Sequence, residues 1–180
     1  MDVKHAVLAT VAEEGNSGLV GRTLLQKKVY FAALLSGEDF SFKPHYYGPY
    51  SPLVADATDA LVSNRFLDER VEVFPEANVF GEIRRHTYQM TADGDRLLQS
   101  MHNFPELKRF RDSLRRVNSH LFAKDFNLLS IAAKVLTITA ANEQTSAKEI
   151  KIEANRYGWS LSDSDIGKVQ GFLSSLDLAR

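Results

Sequence analysis

Apolar residues recur at helical spacing from the start of the chain. Between Asp2 and Glu14, Val3, Ala6, Val7, Thr10 and Val11 fall on one stripe, which predicts an amphipathic helix. Gly15 to Arg22 reads as a loop. Thr23-Leu24-Leu25-Gln26 has the form of a capping box, so a second helix is expected from Leu24 to Leu35, closed by Gly37. Phe40 to Lys43 alternates like a short strand, which Pro44 confines to an edge. A Gly48-Pro49 turn then leads into Ser51-Pro52, a good helix start, with Leu53, Ala57, Ala60 and Leu61 expected to face inward. Leu67 to Phe74 and Glu82 to Met90 are β-type runs joined by the turn residues of Pro75 to Gly81, a hairpin pattern. Thr91 can cap a short helix that carries Leu97, Leu98 and Met101. Helix, helix, short strand, helix, hairpin is the order of a winged helix-turn-helix domain, here residues 1–103 with the trailing helix included.

Residues 104–180 read as a helical C-terminal domain, so the fold class expected is mainly α with a small β-hairpin. Pro105 opens a helix whose apolar residues Leu107, Phe110, Leu114, Val117 and Leu121 form a narrow seam. That seam needs cover, either within the chain or from a second copy, which leaves a homodimer open. Asp125 to Ala141 is apolar nearly all round and is expected to be buried centrally. Ser146 with Glu149 is a capping box whose helix Gly158 ends. Ser162 with Asp165 starts the last helix, with Ile166, Val169, Phe172, Leu173 and Leu176 inward. Phe126 to Leu178 thus resembles a second, wingless helix-turn-helix.

Composition narrows the classes. A chain of 180 residues, 44% hydrophobic, can bury a full core without covalent staples. No window is apolar enough to span a membrane and the N-terminus lacks a signal-peptide pattern, so a cytoplasmic, membrane-free protein is expected. Zero cysteines exclude disulfides, thiolate metal sites and cysteine nucleophiles. A net charge of −1 denies the chain the basic balance of most nucleic-acid binders, so any such site is a local patch.

Motifs for catalysis are missing. Gly15 to Thr23 superficially follows a phosphate-binding loop, but its glycine spacing is one residue too long, Arg22 stands for the lysine, and a helix precedes it. His5, His45, His86, His102 and His120 include no close ligand pair, and no GxSxG elbow is present. No enzyme, cofactor or metal is expected.

Three stretches carry a family resemblance: GRTLLQKKVYFAALLSG (Gly21 to Gly37), HYYGPYSPLVADATDALVSNRFLDE (His45 to Glu69) and TADGDRLL (Thr91 to Leu98). Their Leu-Gln-Lys helix and Tyr-Gly-Pro-Tyr-Ser turn resemble the prokaryotic YwgA-like proteins and, more distantly, the Panacea (SocA-like) antitoxin domain. The resemblance implies a helical, winged-helix-like fold among proteins some of which act as antitoxins or proteolytic adaptors. It brings no catalytic residue.

Two surfaces are candidates for binding. The first joins the aromatic turn Tyr46, Tyr47 and Tyr50, with Lys43 and His45, to Lys27 and Lys28 on the second helix and to Asp56 and Asp59 on the third. Tyrosine gives amphipathic contact area at low entropic cost, although two of these rings packed on the wing would be a purely structural use. The second is basic: Lys108, Arg109, Arg111, Arg115 and Arg116 opposite the seam, and Arg84 and Arg85 on the hairpin, all able to contact phosphate. Asp56 and Asp59 would repel phosphate where a DNA-reading helix normally carries Arg, Lys, Asn or Gln. The leading expectation is therefore a non-enzymatic regulatory or adaptor protein that binds a protein partner. The alternative is a DNA-binding transcriptional regulator dimerising through its C-terminal helices.

Overall fold

α1 (Val3–Ala12) starts where the Asp2 carboxylate accepts from the Lys4 N–H at 2.8 Å. The computed structural model describes residues 1–74, 83–140 and 145–178. Instead of one apolar stripe, α1 has six consecutive buried residues, Ala6 to Val11, because α2, α3, α4, α5 and β3 surround it. The stretch read as a loop holds a 3-10 turn (Gly15–Ser17) and β1 (Leu19–Val20), a strand too short to be recognised apart from its partner.

α2 (Arg22–Ser36) departs from expectation at its start. Gly21 is the N-cap, and no side chain caps the helix. Gln26 is buried and clamps a distant backbone: its Nε2 donates to Ser51 O and its Oε1 accepts from Ser51 N, both at 3.0 Å. The buried Ser51 N–H would otherwise lack a partner, which outweighs a local bond at a helix end. Gly37 closes the helix in the left-handed region at φ 76°.

Phe40 to Lys43 does not form a strand; only a single bridge, Lys43 to Tyr50, closes the loop that follows. α3 (Pro52–Ser63) begins as expected, with Ser51 Oγ accepting from Val54 N at 3.3 Å. Its inward face is Val54, Ala57, Thr58 and Leu61, while Leu53 is 47% exposed. The Ser51 hydroxyl also donates to Phe40 O at 2.5 Å, and together with Gln26 this fixes the helix's rotation one residue away from the expected face.

β2 (Leu67–Phe74) and β3 (Ile83–Met90) pair antiparallel from Leu67 opposite Met90 to Phe74 opposite Ile83. β1 pairs with the other edge of β3, giving the order β1-β3-β2. The turn expected over Pro75 to Gly81 lies outside the described residues. Thr91 caps α4 (Ala92–Ser100) by accepting from Gly94 N at 3.0 Å. A Cβ on Gly94 would overlap the Phe66 carbonyl. Gly94→Ala is expected to cost about 1–3 kcal/mol, as overpacking at a backbone contact does. Urea denaturation checks this, and a change below about 0.5 kcal/mol, the range of neutral surface substitutions, would mean that α4 moves aside freely.

Four members of the seam on α5 (Pro105–Asn118), namely Leu107, Phe110, Leu114 and Val117, are buried within the chain. The fifth is not: Leu121 lies beyond the helix, in a 3-10 turn (Leu121–Lys124), and is 83% exposed. α1 and α2 cover the seam, so it needs no second copy. α6 (Phe126–Thr139), α7 (Ala147–Arg156) and α8 (Asp163–Ser175) follow, and both expected capping boxes form at Ser146/Glu149 and Ser162/Asp165.

Two apolar clusters hold the chain together. One gathers α1, α3, α4 and the sheet around Leu25, Val29 and Leu107; the other gathers α6, α7 and α8 around Tyr30, Phe31 and Val117. α2 and α5 contribute to both. Among the described residues the molecule is mainly helical with one small antiparallel sheet, and no helix is long and apolar enough to cross a membrane.

Candidate functional site

Lys27 and Lys28, read from the sequence as partner-binding, are both buried on α2, against which α5 and α6 pack. Lys28 Nζ is neutralised by an ion pair with Glu14. Among the described residues Lys27 Nζ meets a neutral acceptor alone, the Pro49 carbonyl oxygen at 2.6 Å. Burial, reinforced by the charge of Lys134 on α6, lowers the Lys27 pKa to about 7. Burial lowers that of Lys134 as well.

The aromatic turn sits over these amines. Lys43 and Tyr50 exchange two backbone hydrogen bonds, and His45 and Gly48 exchange two more, making a tight hairpin-like loop. Gly48 has φ 97°, and a Cβ there would lie 3.2 Å from Lys134 Cγ and 3.3 Å from Lys27 Cε, so glycine lets the loop close on the two lysines. Trp159, buried after α7, donates from Nε1 to the His45 carbonyl at 2.8 Å. The loop is thus tied down at three points, by Gln26, Lys27 and Trp159. At its tip, Tyr46 and Tyr47 are 69% and 61% exposed and meet edge to face at 4.9 Å. Both rings thus stand largely in solvent. Tyr50 is half-buried beside His45.

Between this loop, the N-terminal turn of α2 and the outer part of α3 lies a cleft of about 150 Å³, whose walls include Arg22, Lys27, Tyr47, Tyr50, Asp59 and Tyr88. Its far wall is a polar network. Arg22 Nε donates to the Tyr88 hydroxyl at 3.1 Å, and Arg22 Nη2 lies 3.4 Å from Glu69 and 3.9 Å from Asp59. His86 Nδ1 is 2.7 Å from the same Glu69 oxygen. Burial opposes ionisation of Glu69, but hydrogen bonds from His86 and Tyr88 outweigh it and its pKa is lowered. Burial pushes the Tyr88 hydroxyl up.

Of the residues read from the sequence as partner-binding, the cleft brings together Lys27, His45, Tyr47, Tyr50 and Asp59. Lys43, Tyr46 and Asp56 are exposed around it, and Lys28 is sequestered with Glu14. Arg22 was read only as part of the rejected phosphate-loop pattern, and Tyr88, Lys134 and Trp159 were not singled out; no local spacing marks these three, since each reaches the site from a different part of the chain.

The basic surface is largely neutralised by the chain itself. Arg111 and Arg115 pair with Glu13 at 2.9 and 3.2 Å, and Arg116 pairs with Asp177 at 2.6 Å. Arg85 lies 3.8 Å from Glu72, with its guanidinium 4.8 Å from the centre of the Phe74 ring. Arg84, Lys108 and Arg109 are exposed. Among the described residues no group of three His, Asp or Glu side chains is placed to hold a metal ion. The chain matches no protein-family model, and no match is found among curated proteins.

Proposed function

We propose that this chain is a non-enzymatic, winged-helix regulatory or adaptor protein that binds a protein partner through the tyrosine loop and the neighbouring face of α3. The observation that carries the reading is the pair Tyr46 and Tyr47, exposed at the tip of a loop tied down by Gln26, Lys27 and Trp159. Holding two tyrosines rigidly in solvent removes the ordering cost that a mobile loop would meet on binding, and buried tyrosines are frequent anchors of interfaces. Leu53, Asp56 and Asp59 continue the surface along α3 as an apolar and acidic face.

The order α1, β1, α2, α3, β2, β3, with β1 on the outer edge of β3, supports the winged-helix reading. α6, α7 and α8 are read as a second, wingless helix-turn-helix. The resemblance to YwgA-like proteins and to the Panacea domain agrees with a protein-binding role. The DNA-binding alternative rests on the basic residues of the hairpin and of α5, of which Lys108 and Arg109 are exposed, and is weakened by the acidic outer face of α3 and by the internal pairing of Arg111, Arg115 and Arg116.

Tyr46→Ala combined with Tyr47→Ala is expected to leave stability within about 0.5 kcal/mol, since both rings are exposed. The same variant should weaken partner binding by about 2 kcal/mol or more, the range of interface anchors. Parallel pull-downs with native and double-variant bait check this, followed by affinity measurement on any protein lost from the variant. Identical recovery with both baits, together with salt-sensitive retention on mixed-sequence DNA, would favour the regulator instead.

A further inference from the structure

Beyond partner binding, the cleft has a charge imbalance of its own. Lys28 carries its counter-ion, Glu14, into the interior. Among the described residues Lys27, 2% exposed, hydrogen-bonds the Pro49 carbonyl, and the charge that acts on it is that of another amine, Lys134. Among the described residues no carboxylate forms an ion pair with either Lys27 or Lys134. Asp59, the acid on the cleft wall, lies beside Arg22. Buried charges are ordinarily paired, so an amine so placed on the wall of a cleft calls for an anion from outside the chain.

The geometry points to this cleft as a binding site for a small organic carboxylate with a compact, flat apolar body, its negative group against Lys27 Nζ. A volume of about 150 Å³ is the size of cavity that accepts a benzene ring. Tyr47, Tyr50 and Leu25 supply aromatic and aliphatic wall for such a body. A phosphate group fits less well, because a dianion asks for several charged donors at one point, and of the cationic groups on the wall Arg22 is already beside Glu69 and Asp59, which leaves Lys27. Since Tyr47 belongs both to the cleft and to the exposed loop tip, an occupant there also touches the surface read above as partner-binding, although the site stands or falls without that reading.

The test uses the full chain with 13C-labelled lysine, titrated with benzoate, with neutral benzamide of nearly the same shape, and with inorganic phosphate. Benzoate is expected to shift the Lys27 Cε signal saturably, with affinity about tenfold or more above that of benzamide, a preference lost in Lys27→Met. Equal affinity for benzoate and benzamide in the native chain overturns the pairing with Lys27 without recourse to any variant. So does undiminished benzoate binding by Lys27→Met. Tighter binding of phosphate than of benzoate, or no saturable shift with benzoate up to about 20 mM, overturns the carboxylate assignment.

Discussion

Lys27→Met is expected to stabilise the protein at pH 6–7 by roughly 2–4 kcal/mol, and the gain is lost between about pH 8 and 10. Burial brings the Lys27 pKa from 10.5 down to about 7, and at about 1.4 kcal/mol per unit the full cost of burying the charge is on the order of 5 kcal/mol. Methionine fills a similar volume without charge. It also leaves the Pro49 carbonyl without its donor, which offsets about 1–3 kcal/mol of the gain. The sign of the pH dependence follows from proton counting. Below pH 7 the amine is protonated in both folded and unfolded chains, so the native protein bears the whole cost at a constant level. Between pH 7 and 10.5 the unfolded chain holds one more proton than the folded one, so native stability rises with pH. The variant lacks that group and does not share the rise. Urea denaturation of both proteins at pH 6, 8 and 9.5 gives the difference directly, with all other titrating groups common to the two. A variant less stable than native at pH 6, or a difference that stays flat across the range, would refute a buried amine that titrates near neutrality. A residue retained at a stability cost is also what a binding site is expected to contain.

The second large effect belongs to Trp159, the one tryptophan of the chain. Trp159→Ala removes a fully buried indole and its hydrogen bond to the His45 carbonyl, and is expected to cost about 3–5 kcal/mol. The loss has two separable parts. Trp159→Phe retains most of the apolar body and deletes the donor, so it isolates the bond that ties the loop down; its cost should be about 1–3 kcal/mol. In both variants the amides of His45 and Gly48 should exchange with solvent faster than those of α8, because the loop loses an anchor while the helix retains its own bonds. Circular dichroism with urea measures the stability, and amide exchange measures the loosening. An alanine variant within about 1 kcal/mol of native, with unchanged loop exchange, would mean that Trp159 does not hold the turn.

Features set within a few residues of one another were legible in the sequence. The caps at Ser51, Thr91, Ser146 and Ser162 depend on groups three positions away and form as read. Thr23 to Gln26 carries the same local pattern and fails, because Ser51, 25 residues on, offers the Gln26 amide two buried partners. The face of α3 was misjudged by one step for a related reason: its rotation is set by the Phe40 and Gln26 contacts to Ser51 and not by its own apolar spacing. The basic helix seemed available for phosphate because Glu13, its main neutralising partner, is 98 residues from Arg111. For the site, the tyrosine cluster could be seen, as could the lysines beside it. That Lys27 is buried, and that Trp159 and Tyr88 meet at the site, depends on α6, the turn after α7 and β3, all distant in the chain, which no periodicity in α2 itself records.

α2 carries nine consecutive buried residues, Leu25 to Ala33, three of them polar. An ordinary surface helix tolerates substitution at about every second or third position, because one side faces water. Here that relief is absent for two and a half turns. The stretch LQKKVYFAA therefore forms a continuous block of constraint, in which a polar residue is as hard to replace as an apolar one. Divergence between related chains would have to be taken up elsewhere, at the loop tip and on the outer faces of α3 and α5, so that the surface can vary while the axis of the molecule stays fixed.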